Sequence, residues 1–211
     1  MNETVKILVE KVFLITSLAA ALLSICVGSA AFAQTPSSSG NKGEQTMNLK
    51  NSKILIAYFS HSGNTRALAG QLQKTVGGDV FEIVTAEPYP DEYRPTTVQA
   101  RRELDENRRP ALTSKVEDMA AYDVIFLGYP NWWGTMPMAV FSFVEQYDLS
   151  GKTIVPFCTH EGSRLGRSVS DLTRLAPGST LLSGFEIKGS QVERGGDGLR
   201  AWLLGLGLIE P

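Results

Sequence analysis

The stretch Ser60-His61-Ser62-Gly63-Asn64-Thr65 decides the reading of this chain. An apolar run, Ile54 to Phe59, precedes it and a helical pattern, Arg66 to Val76, follows it. A hydroxyl-rich turn between a strand and a helix N-terminus is a place to hold a phosphate. The free amides of the first helical turn and the helix dipole both point at the anion. Gly63 allows the backbone to turn tightly and present its amide. The turn carries no lysine, so it is not built for the β- and γ-phosphates of a nucleoside triphosphate. It suits one terminal phosphate. A plain capped turn needs a single hydroxyl, whereas Ser60, Ser62 and Thr65 all offer one and Asn64 can donate an amide proton.

Outward from that turn, strands alternate with helices. The first strand is expected over residues 53–59 and is apolar enough for a central parallel strand covered on both faces. The helix after it carries Leu68, Leu72 and Val76 at four-residue spacing, with Thr65 as N-cap and Gly77-Gly78 as its end. Further strands are expected at 80–84, within 122–129, and at 153–157 and 180–187. Helices are expected at 99–109, 139–147, 165–175 and 198–206. The stretch at 99–109 is highly charged and sits in a long crossover that starts in Pro88, Pro90 and Pro95. It reads as a solvated surface helix, or as a lid or partner surface beside a ligand. The alternation predicts a single α/β domain, a three-layer sandwich with helices over a five-stranded sheet.

The chain has 211 residues, and its first part reads as separate from that domain. Val12 to Ala33 is apolar and uncharged and ends in Ala31-Phe32-Ala33, which suits signal peptidase, with Gln34 as the new start. Residues 1–33 are therefore expected to be a signal peptide, or else an uncleaved membrane anchor. The bulky Ile25 before Cys26 argues against a lipoprotein signal. Residues 34–50 are rich in Ser, Gly, Gln, Asn and Thr and read as a disordered linker, leaving 51–211 as the folded domain. This predicts a periplasmic or secreted protein, membrane-anchored if the leader stays. It would be cytoplasmic if Met47 is the true start. The formal net charge is −2 and stays so without the leader, which loses Lys6 and Lys11 with Glu3 and Glu10. No basic patch with interleaved aromatics suggests a nucleic-acid partner. Cys158 is the one cysteine left after cleavage, so no intramolecular disulfide is expected, and with two histidines no metal site is expected.

Ligands on an open parallel sheet collect beyond the C-terminal ends of its strands. Two further unusual loops fall there. In Gly128 to Pro137, Trp132 and Trp133 stand between Pro130-Asn131 and Gly134. Two adjacent large rings in a loop rarely reach one core pocket, so one is expected in the core and the other as the wall of a flat ligand site. In Cys158 to Gly166, Thr159, Glu161, Gly162, Ser163 and Gly166 offer hydroxyls and amides for the polar edge of a ring. Cys158, His160 and Glu161 suggest covalent catalysis only superficially. A cysteine directly after a buried strand is expected to be an inert small hydrophobe.

With these residues in place, the chain resembles the flavodoxins, and more narrowly the flavodoxin-like proteins that often carry bacterial signal peptides. The likeness spans 53–207 and rests on SHSGNTR at 60–66, YPDEYRPT at 89–96, GYPNWWGTMP at 128–137 and GKTIVPFCTHEGSRLGRS at 151–168. It implies a parallel sheet of order 2-1-3-4-5 and a tightly held, noncovalent FMN. By matching loops, Ser60, Ser62, Gly63, Asn64 and Thr65 would hold the phosphate, with His61 contributing its backbone amide. Pro130, Asn131, Trp132, Trp133 and Gly134 would line the ring system, and Thr159, Glu161, Gly162, Ser163 and Gly166 its other side. Many electron-shuttle flavodoxins place an aromatic in the third loop; this chain has none there. The expected function is FMN-dependent electron transfer with a redox protein or small molecule as donor or acceptor, and no catalytic side chain. The alternatives are a self-contained NAD(P)H-dependent reductase of quinone-like acceptors and a cofactor-free binding or scaffold protein.

Overall fold

A run such as Ile54-Leu55-Ile56-Ala57 has apolar side chains on both sides, so it is stable only where both faces of the strand are covered. The computed structural model describes residues 49–211 and meets that demand. The leader at 1–33 and the linker at 34–50, apart from its last two residues, lie outside the described residues. The strands are β1 (Ile54–Tyr58), β2 (Asp79–Glu82), β3 (Val124–Pro130), β4 (Thr153–His160), β5 (Thr180–Leu181) and β6 (Phe185–Lys188). The helices are α1 (Asn64–Val76), α2 (Tyr93–Asp105), α3 (Met138–Glu145), α4 (Ser168–Leu175) and α5 (Gly196–Gly205). All pairings are parallel and the order is β2-β1-β3-β4-β5, with β6 also paired to β4.

Period-two alternation sorts the central strands into two cores. Leu55, Ala57, Ile125, Leu127 and Ile154 pack with Val140 and Phe143 of α3 and Leu172 of α4. Ile54, Ile56, Phe126, Val155 and Phe157 pack on the other face with Leu68 and Leu72 of α1 and Leu199 and Leu203 of α5. Helices cover both faces of one sheet, which is the three-layer sandwich the alternation predicts.

Three expectations shift. The single edge strand at 180–187 is two short strands, because Leu182 to Gly184 leave the ladder. Leu182 N–H still donates to the Ile154 carbonyl (3.0 Å). The next bond would come from the amide of residue 156, and Pro156 has none. The crossover helix begins at Tyr93 and ends at Asp105, earlier than the expected 99–109. It takes Pro95 into its first turn, where the missing amide has no intrahelical partner to lose. Finally, α1 starts at Asn64 with Gly63 as N-cap, in the left-handed region at φ 89°. Thr65 lies inside the helix, and its hydroxyl is spent elsewhere.

β3 and β4 approach each other closely where Gly128 faces Phe157. A Cβ on Gly128 would stand 2.2 Å from Cζ of the Phe157 ring, which is fully buried. Gly128→Ala is therefore expected to overpack this core and destabilise the domain by about 1–3 kcal/mol, measured as a lowered urea midpoint at unchanged slope.

Candidate functional site

The strand order reverses between β1 and β3, so the connections leaving β1 and β3 diverge and open a crevice at their C-terminal ends. The Ser60–Thr65 turn sits at the end of β1. Its amides at residues 62 to 65 have no acceptor among the described residues, and the N-cap residue, Gly63, has no side chain to cap the helix. Ser60 Oγ accepts from Arg66 N–H (3.2 Å), which ties the turn to α1. Ser62 is exposed, and the side chains of Ser62 and Asn64 have no hydrogen-bond partner among the described residues. The Arg66 guanidinium turns away to the Glu82 carboxylate. Donating to Glu82 raises the arginine's pKa above its ordinary value. His61 is exposed; its Nε2 bonds the Pro90 carbonyl (2.8 Å), and its ring meets Trp132 edge-on at 5.8 Å.

Thr65 and Thr159 are both buried, and their hydroxyls share one hydrogen bond of 2.8 Å. Two hydroxyls carry two protons. One proton makes this bond, and the other has no acceptor among the described residues. The pair thus clamps the first turn of α1 to the end of β4 and keeps a donor in reserve.

The second loop closes as a tight turn. Trp132 and Thr135 exchange backbone hydrogen bonds (2.8 and 3.1 Å), with Trp133 at φ 53° and Gly134 at φ 80° between them. Positive φ at both central residues is the signature of a type I′ turn. A bulky tryptophan in that conformation costs about 1–3 kcal/mol, and the surroundings hold it. Its Nε1–H donates to the Thr97 carbonyl of α2 (3.0 Å), and the Arg101 guanidinium lies over its ring at 5.3 Å. Trp133 remains half exposed. Trp132 packs against the core instead, edge-on to Tyr89 (5.0 Å) and Phe59 (5.4 Å). One ring lies toward the core and the other away from it, as the sequence suggests.

Asn131 joins the second loop to the third. Its N–H donates to the Thr159 carbonyl (2.8 Å), its Nδ2 to the Arg164 carbonyl (2.7 Å), and its Oδ1 accepts from Gly134 N–H (3.0 Å). Gly166 completes the seam: a Cβ there would stand 2.2 Å from the Gly134 carbonyl oxygen, and Arg167 N–H donates to that same oxygen (2.8 Å). Asn131 and Gly166 therefore position the two loops. Pro130 ends β3 beside Thr159. Glu161, Gly162 and Ser163 are exposed at the tip of the third loop. Gly162 N–H donates to His160 Nδ1 (2.9 Å). Glu161 Oε1 and Asn64 Nδ2 lie 2.6 and 2.3 Å from where a Cβ on Gly189 would stand, so the tips of the first and third loops meet there.

Two supporting residues escape sequence reasoning. Glu186 on β6 accepts from Leu165 N–H (3.1 Å) and pairs with Arg164 (3.1 Å), holding the third loop from the edge strand. Asp171 in the first turn of α4 accepts from Thr135 Oγ1 (2.6 Å). Burial works against its charge, but the Thr135 hydroxyl together with Arg174 and Arg167 outweighs it and holds the carboxyl below its ordinary range. An acidic residue in a helix's first turn was the available signal; its partner on another loop was not visible.

β4 runs through His160, which puts Cys158 and His160 on one face by alternation. They still form no catalytic pair. Cys158 is fully buried and points its thiol at the Arg164 carbonyl (3.6 Å). Burial, helped by the Glu186 charge, pushes the thiol pKa up to about 12, and His160 is occupied by Gly162. Among the described residues, no group of His, Cys, Asp and Glu side chains could hold a metal ion.

A family model described as flavodoxin matches residues 53–204. Among solved structures, a candidate flavoprotein from Bacteroides eggerthii is 36% identical at a TM-score of 0.64, covering 75% of this chain and 100% of its own. A second, from Bacteroides uniformis, is 31% identical at a TM-score of 0.64, covering 72% of this chain and 99% of its own. A flavoprotein from Lactobacillus acidophilus in complex with FMN shares the fold at 22% identity and a TM-score of 0.56, covering 68% of this chain and 97% of its own. None of the curated proteins matches.

The buried thiol makes a prediction about pH. A folded pKa near 12 against an ordinary value of 9.0 means that the unfolded chain loses the Cys158 proton first as pH rises. Its contribution to stability is complete below pH 9 and drains away up to pH 12, by at most about 1.4 kcal/mol per pH unit. Denaturant titrations across that window are expected to show a shallower decline for Cys158→Ala than for the parent. Iodoacetamide at pH 8 is expected to label Cys158 of the parent only after unfolding.

Proposed function

The chain belongs to the flavodoxin family, and from that premise we propose that it is an electron-transfer flavoprotein holding FMN noncovalently at the ends of β1, β3 and β4. The observation that carries this reading is the donor set of the Ser60–Thr65 turn. Amides without acceptors, the unpartnered side chains of Ser62 and Asn64 and the spare proton of the Thr65–Thr159 pair gather at one helix N-terminus. That set fits one phosphate. His61 would add its amide, since its ring is engaged with Pro90 and Trp132.

Bound FMN supplies the capacity to accept and give up electrons; the chain supplies position, hydrogen bonds and a controlled dielectric. Trp132, Trp133 and the backbone of Pro130, Asn131 and Gly134 would line one side of the ring system. Thr159, Glu161, Gly162 and Ser163 would line its other side and polar edge, with Asn131 and Gly166 keeping the two loops in register. No side chain is required as acid, base or nucleophile.

The third loop has no Tyr, Trp or Phe, so in this reading the ring face it borders has no side chain stacked on it and stays open to small molecules. An open face favours a small-molecule donor or acceptor and makes a self-contained NAD(P)H-dependent reductase the second reading. Glu161 is the one acid in the three loops, which favours a less strongly reducing cofactor than an acid-rich surround would give. We place the domain outside the cytoplasm, periplasmic or secreted, on the strength of the leader. An N-terminal sequence of the natively expressed protein starting at Gln34 would support this, and one starting at Met47 would overturn it.

The purified protein is expected to be yellow and to release FMN on denaturation. Ser62→Ala and Asn64→Ala are each expected to weaken FMN binding by about tenfold, the scale of one charge-assisted hydrogen bond, while riboflavin, which lacks the phosphate, binds all variants alike. A colourless protein that refuses added FMN would overturn the assignment. Oxidation of NAD(P)H with a quinone by the purified protein alone would favour the reductase, and its absence the shuttle.

A further inference from the structure

The crossover between β2 and β3 holds a cleft of about 850 Å³, set between α2 and the chain segments before and after it. Its volume is that of a small-molecule site. None of the residues of the three strand-end loops lines it. Residues 89 and 90 separate the two regions: the Pro90 carbonyl bonds His61, and Tyr89 packs edge-on against Trp132.

We propose that this cleft binds a small organic anion, an apolar body bearing a single carboxylate, sulfonate or phosphate. Pro90, Pro95, Val98 and Pro110 supply apolar wall, and Val98 is 68% exposed. Four arginines line the cleft, and two are already spent. Arg102 pairs with Glu106 (3.1 Å), and Arg109 forks onto Glu145 (2.5 and 2.7 Å). The guanidinium groups of Arg94 and Arg108 have no ion pair or hydrogen bond among the described residues. A planar guanidinium fork matches a carboxylate or phosphate edge.

The acids of the cleft decide how much negative charge it accepts. Glu103 is buried and committed, accepting from the Tyr89 hydroxyl (2.5 Å) and from Gln99 Nε2 (3.0 Å). Arg108 stands close enough to act on the Tyr89 hydroxyl of that pair, so Glu103 offsets part of its charge. Glu87 is exposed and its carboxylate has no partner among the described residues. The cleft is thus lined by two unpaired guanidinium groups and one unpaired carboxylate, a balance that suits a single anionic group and sets Glu87 against a second.

The test is calorimetric titration of the full chain with 2-naphthoate, with uncharged 2-naphthol as the matched control, each run with and without excess FMN. Naphthoate is expected to bind at one site, FMN present or absent, and naphthol at least tenfold more weakly. Arg94→Ala and Arg108→Ala are each expected to weaken naphthoate by about fivefold to tenfold, and Glu87→Gln to tighten it severalfold. All three positions are on the surface, and opposite signs from neighbouring substitutions would not follow from a merely structural role. Competition between naphthoate and FMN, equal binding of naphthol, no binding at millimolar naphthoate, or indifference to Arg94→Ala would each overturn the proposal. Because the readout does not pass through the flavin, a failure here leaves the FMN assignment standing, and the reverse.

Discussion

The hydrogen bond between the Thr65 and Thr159 hydroxyls is the contact on which the arrangement at the strand ends depends. It joins the first turn of α1 to the end of β4, reaching past β3, which lies between β1 and β4 in the sheet. Both hydroxyls are buried, so neither has water as an alternative, and breaking the bond would strand two polar groups. The same bond explains why Thr65 is not a helix cap. With that hydroxyl committed, the N-terminus of α1 is left to Gly63, which has no side chain to offer, and the Asn64 and Thr65 amides stay open to a ligand.

The second and third loops are fastened by a different device, backbone approach. Asn131 uses both ends of its amide on neighbouring main chain, and Gly166 lets the third loop press against the Gly134 carbonyl. These contacts leave little freedom in the seam while the loop tips, Glu161 to Ser163, remain in solvent. A rigid base with exposed tips is the arrangement a flat ligand needs, because the donors are pre-aligned and the entrance is not blocked. The left-handed Trp133 belongs to the same design. Its turn is held by the bond to Thr97 and by Arg101, so α2 supports the second loop from outside the sheet.

α2 was the least legible element. Its charge pattern suggests a solvated surface, and Arg101–Asp105 and Arg102–Glu106 do form exposed i,i+4 pairs. Glu103, from the same run of charges, is buried under Tyr89 and Gln99. Pattern alone could not separate it from its neighbours, since burial of a carboxylate depends on a hydroxyl fourteen residues away meeting it in space. Its N-terminal boundary was missed for a related reason. Pro95 reads as a break along the chain, yet it is harmless in a first turn whose amides have no helical partner.

The sequence by itself determined the parallel strands, the helices that cover them, and the turn at residues 60–65, because these follow from local periodicity and from residue types whose backbone preferences act over a few positions. It also pointed to the three loops that carry the candidate site. The split of the edge strand at Pro156, the pairing of Thr65 with Thr159, the clamp of Asn131 and the support from Glu186 and Asp171 were decided by the tertiary structure alone. Each joins groups far apart in the chain, and a hydrogen bond is satisfied by distance and angle in space, which no local pattern encodes.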